Sequence, residues 1–168
     1  MGKKRAFALA IAALSLSGCA TVLKGVDQQL AFQSIPSGAT IQLASGKTCE
    51  TPCSFELRRG RDTMVTYTLD GYDPATVYIQ SRTGGETSVF NGVIGGVVDA
   101  STGAANDLYP SPVYVRLVRQ GGSEKALLLD QDGQFLATLF VHNDRVGKTV
   151  RESLIKQGLL DSDTEGSD

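Results

Sequence analysis

The chain has 168 residues, 41% of them hydrophobic, and its 16 Lys and Arg against 18 Asp and Glu give a net charge of −2. That balance excludes a strongly basic nucleic-acid binder and supplies no overall field toward anionic headgroups. The 19 glycines and the absence of tryptophan indicate many turns around modest aromatic packing, on a chain long enough for one good domain or two small ones.

The chain starts with a basic cluster, Lys3, Lys4 and Arg5, followed by an apolar stretch over residues 6–16 and then Ser17-Gly18-Cys19-Ala20. A positive segment, a short apolar segment and small residues before a break are the marks of a secretory signal. The apolar stretch is well short of the roughly 20 residues that a membrane-spanning helix needs. With cysteine directly after Leu16-Ser17-Gly18, the pattern resembles a bacterial lipobox. The resemblance implies cleavage before Cys19, thioether lipidation of Cys19 and a membrane anchor made of its acyl chains. Each buried methylene of an acyl chain adds about 0.8 kcal/mol, so two or three chains hold durably. Ala20 stands where an Asp would imply inner-membrane retention in a Gram-negative cell, so the implied address is the outer membrane, facing the periplasm. Loss of residues 1–18 removes three basic and no acidic residues; 150 residues remain, at a net charge of −5. Residues 19–29 then form a tether.

Cys49 and Cys53 stand in Cys-Glu-Thr-Pro-Cys. In an oxidising compartment their default is a disulfide that fixes a turn. Zinc would need about four ligands, and the one histidine, His142, is distant in sequence. No metal site is expected.

Residues 30–79 read as strand after strand. Ile41 and Leu43, Phe55 and Leu57, Val65 and Tyr67, and Val77 and Ile79 alternate with polar neighbours, the period that buries one face of a strand. Pro36-Ser37-Gly38, Ser45-Gly46-Lys47, Arg59-Gly60-Arg61 and Asp70-Gly71-Tyr72 supply the turns. The expected fold is mainly β, a small antiparallel β-sandwich. Ser34-Ile35-Pro36-Ser37-Gly38-Ala39, Thr51-Pro52, an Arg-Gly turn and Gly71-Tyr72 together resemble the PEGA domain, a β-sandwich module of surface and envelope proteins, with Ser37 where the family's name-giving tetrapeptide has Glu. The resemblance implies a scaffold or binding module and carries over no catalytic residue. Arg58, Arg59, Arg61 and Tyr72, read as exposed at the turns, are weak candidates for a binding surface.

The sandwich is expected over residues 30–119, interrupted by a glycine-rich insert at 87–106. In that insert Gly92 and Gly96 form a small-xxx-small pair, with Gly95 between them and Asp99 beyond. The reading favoured is a short helix or loop packed on the sandwich. The alternative is a segment that touches the membrane beside the anchor. Against it stand its shortness, Asp99 and the lack of interfacial lysines.

Residues 110–118 read as a further strand and Gln120-Gly121-Gly122-Ser123 as a linker. Residues 124–160 are expected to form a strand-strand-helix unit: strands at 126–129 and 135–141 around an Asp130-Gln131-Asp132-Gly133 hairpin, then a helix at 144–157 with Val146, Val150 and Leu154 on one face. Residues 161–168 read as a disordered acidic tail. Asp132-Gly133-Gln134-Phe135-Leu136-Ala137 with Gln157-Gly158-Leu159 resembles the later part of thermonuclease-type nucleases. However, the family's catalytic arginine falls on Gln134, which cannot supply positive charge, and no matching carboxylate series precedes it. His142, at a strand-helix junction, reads as a surface or capping residue. No catalytic constellation or cofactor motif emerges, and no nucleic acid is expected as a ligand. The reading is a lipid-anchored, non-enzymatic scaffold or binding module with an unknown envelope partner. The alternatives are a divergent nuclease and a membrane-interacting protein.

Overall fold

The structure, a computed structural model, describes residues 25–83 and 106–162. Among the described residues, ten strands and one helix form in chain order: β1 Asp27–Ile35, β2 Thr40–Leu43, β3 Thr48–Glu50, β4 Cys53–Arg58, β5 Thr63–Thr68, β6 Ala75–Thr83, β7 Asn106–Tyr109, β8 Val113–Arg116, β9 Leu127–Leu129, β10 Phe135–Thr138 and α1 Leu139–Lys156. One sheet has the order β10-β9-β8-β1-β4, the other β3-β2-β5-β6-β7. The protein is thus mainly β, with two sheets and a C-terminal strand-helix unit.

Alternation along the strands builds the core. Leu30 and Phe32 of β1 and Val113 and Val115 of β8 meet Ile41, Val65, Tyr67, Val77 and Ile79 of the other sheet, all fully buried. Deep in this layer the Tyr67 hydroxyl donates to the Val113 carbonyl at 2.9 Å, a polar tie from sheet to sheet. Burial pushes the Tyr67 phenol far above its usual range.

Three expectations change. The sandwich is not wholly antiparallel: β1 pairs β8 in parallel, Phe32 against Val113 through Ile35 against Arg116. The second hairpin strand ends at Thr138, and the helix starts at Leu139 rather than at 144. The cause is local: Thr138 is extended, and its hydroxyl accepts from the Val141 N–H, the work of an N-cap. Finally, the glycines read as a linker form a tight turn held to the body, with Gly122 N donating to Arg119 O and Gln120 N to Gly71 O.

The helix makes a third layer. Val146, Val150 and Leu154 pack on Met64 and Tyr78, which alternate with core residues and so lie on the outer face of their sheet. β7 pairs only Gln80 through Thr83 of β6, so among the described residues the earlier part of β6 has no strand on that side. Asn143 fills the gap: its amide donates to Thr76 O at 2.7 Å and accepts from Tyr78 N at 3.2 Å, as a neighbouring strand would. His142 Nε2 lies 2.8 Å from Tyr78 O.

Candidate functional site

The two flanks of the sandwich are closed differently. On one flank β3 and β4 are the edge strands of opposite sheets, and the Cys49–Cys53 pair, at disulfide distance with Cα atoms 6.5 Å apart, joins them. Beside it, the Ser34 and Thr51 hydroxyls lie 2.6 Å apart, both buried, and Thr51 Oγ1 also accepts from Ala39 N. On the other flank the edges are β10 and β7, and the chain crosses between them from Thr138 into α1.

A cleft of about 320 Å³ opens on that second flank. Arg82 and Tyr109 form one wall, His142 and Arg145 of α1 another, and Leu128 and Ala137 add apolar surface. The Arg82 guanidinium lies over the Tyr109 ring at 4.2 Å from its centroid and donates to Gln80 Oε1. Neither Arg82 nor Arg145 has a carboxylate partner among the described residues. The rim is apolar and exposed: Phe135 keeps 62% of its surface in solvent, and Leu136 and Val141 over 40%; Phe140, which does not line the cleft, keeps 68%. Lys125 Nζ lies 5.3 Å from the Phe140 ring.

His142 is only 6% exposed, which corrects its reading as a surface residue. The Tyr78 carbonyl can only accept, so Nε2 carries the proton and Nδ1 is the acceptor. No described buried side-chain nitrogen or oxygen lacks a partner, and His142 is one of the residues that line the cleft. Burial holds the imidazole below its usual range; the bond to the Tyr78 carbonyl opposes this, and the positive Arg82 and Arg145 add to the depression.

A second cluster sits at one end of the sandwich. Arg59 Nε donates to Gly25 O and Asp27 O, Nη1 donates to Gln28 Oε1, and the guanidinium pairs with Asp107. Ser81 Oγ donates to Arg59 O, and Asn106 Nδ2 donates to Ser81 Oγ. One residue, through its side chain and its carbonyl, thus gathers the start of β1 and the strands that flank residues 84–105.

Of the residues singled out in the sequence, Cys19, Gly92, Gly95, Gly96 and Asp99 lie outside the described residues. Arg58 and Arg61 are exposed, but Arg59 is half-buried and tied to its neighbours. Tyr72 is also half-buried, bridged to Arg119. Gln134 is exposed at the β9–β10 turn, where its backbone N–H donates to Asp130 Oδ1. Among the described residues no three His, Cys, Asp or Glu side chains cluster as metal ligands. Sequence reasoning missed the pairing of Arg82 and Arg145: they lie far apart in the chain, and neither stands in a motif. Comparison with protein-family models, with curated proteins and with solved structures finds no match.

Proposed function

We propose that this chain is a lipid-anchored envelope protein, a non-enzymatic scaffold or binding module held by Cys19 on the periplasmic face of the outer membrane. The observation that carries the reading is the Arg59 cluster. It fixes Gly25 and Asp27, where the chain from Cys19 joins the fold, to three other points of the sandwich. A module tethered by a short N-terminal segment profits from a rigid junction, because pull or fluctuation at the anchor is then spread over both sheets. The Cys49–Cys53 pair suits an oxidising compartment. The Ser34–Thr51 contact brings together two of the stretches that carry the PEGA resemblance.

The test is metabolic labelling with an alkyne-tagged palmitate in a Gram-negative host, followed by separation of inner and outer membranes. Wild type incorporates label and bands with the outer membrane; Cys19→Ala takes up no label and leaves that fraction. Labelling that persists in Cys19→Ala would remove the proposal.

The same cluster favours a second reading, in which residues 84–105 touch the membrane, because Asn106 is linked through Ser81 and Arg59 to Gly25 and Asp27. Replacing Val93 and Val97 by Asp would then weaken vesicle association of the unlipidated chain. Unchanged association would dismiss it.

A further inference from the structure

The net negative charge of the chain conceals a local arrangement of the opposite sign. Two guanidiniums, Arg82 and Arg145, face one cleft and neither is neutralised by a carboxylate of the described residues. Arg82 is already oriented by its stack on Tyr109 and its bond to Gln80, so its remaining N–H groups are presented with little further loss of freedom. The N-terminal turn of α1 also borders the cleft and contains no acidic residue that would offset its positive end. Directly beside these donors lie Phe135, Leu136 and Val141, large apolar side chains left in solvent at the rim.

A free inorganic anion would use only the donors, and a neutral hydrocarbon only the rim. We infer that the cleft binds a single-chain anionic amphiphile, one carboxylate or phosphate head on an alkyl tail. The head lies between Arg82 and Arg145, and the tail runs along Leu136 and Val141 toward Phe135. The volume, about 320 Å³, is at the lower end of the roughly 300–1,000 Å³ usual for small-molecule sites, which suits one chain and not a two-chain lipid. The inference does not rest on the reading of Cys19 as an anchor.

The test uses the full-length protein reconstituted in zwitterionic vesicles. The probe is dodecanoate bearing a diazirine and an alkyne, compared with the equivalent dodecanol. Cross-links mapped by mass spectrometry are expected within residues 135–145, with the acid labelling more than the alcohol. Arg145→Glu, a change at an exposed helix position, should lower labelling by the acid by about tenfold. Leu136→Asp should lower it as well, with the helical circular dichroism of both variants unchanged. Equal labelling by the alcohol, labelling spread over the chain, or a full signal in Arg145→Glu would each overturn the inference. So would the absence of labelling together with Arg145-dependent binding to phosphatidylglycerol vesicles, which would assign the surface to a bilayer instead.

Discussion

Asn143 illustrates how much one side chain can carry at a sheet edge. Its amide supplies both a donor and an acceptor to backbone groups that β7 does not reach, so truncation strands two half-buried groups at once. Asn143→Ala is expected to lower stability by about 1–3 kcal/mol, the usual cost of leaving such groups unpaired, read from the urea midpoint. The adjacent His142 makes stability depend on pH. Its folded pKa is depressed by burial first, then by Arg82 on β6 and Arg145 on α1, against the opposing bond to Tyr78 O; Tyr109 of β7 adds only a neutral ring. The unfolded chain therefore binds the proton more readily. The stabilising contribution is complete above the unfolded value of about 6.5 and is lost as pH falls below it toward the folded value. Denaturation at pH 7.5 and pH 5.5 should show a larger loss for wild type than for His142→Gln; equal losses would refute the assignment.

At the scale of elements, α1 rests on its sheet through a close approach at Gly147. A Cβ there would come 3.2 Å from two ring carbons of Tyr78, so glycine lets the helix sit down between Val146 and Val150. Gly147→Val should push the helix outward and cost about 1–3 kcal/mol, with loss of amide-exchange protection in α1 before the core strands. The sequence pattern that reveals the strands explains which elements were legible. Ile41 and Leu43, Val65 and Tyr67, and Val77 and Ile79 follow a strict period of two, and all are buried. Residues 135–141 are different: Phe135, Leu136, Leu139, Phe140 and Val141 make a nearly unbroken apolar run, which periodicity cannot divide between strand and helix. The divider is the Thr138 cap, a single polar residue inside that run. Of the cleft, only the apolar rim has any signature in sequence, and there it reads as part of one strand over residues 135–141. Arg82, Tyr109 and Arg145 meet through β6–β7 pairing and helix docking, and no local pattern encodes either.

For the whole molecule, the parallel β1–β8 pair is the contact that draws the C-terminal third into the sandwich. β8 lies beside β1, β9 beside β8 and β10 beside β9, so residues after the Gly121 turn continue the first strand's sheet. Such pairing joins segments about 80 residues apart and is set by burial of Val113 and Val115, which resemble any other alternating pair in sequence. The disulfide acts at the same scale because it links the edges of opposing sheets. Replacing Cys49 and Cys53 by Ser should lower stability by about 2 kcal/mol, the chain-entropy value for so short a loop. The loss is expected to appear as a shift in midpoint with no change in the slope of the urea transition.

A covalent bond along one flank and a helix held by non-covalent contacts along the other make the sandwich resemble a book, bound at the spine and held shut at the fore-edge by a clasp. Any partial opening of the two covers must begin at the clasp. Hydrogen exchange should accordingly find the amides of β7, β10 and the first turn of α1 opening well before those of β1, β4 and β5. The Arg82–Arg145 cleft lies at that fore-edge, so an occupant that spans it would latch the covers as well as be held by them, and its affinity would appear as added stability of the fold.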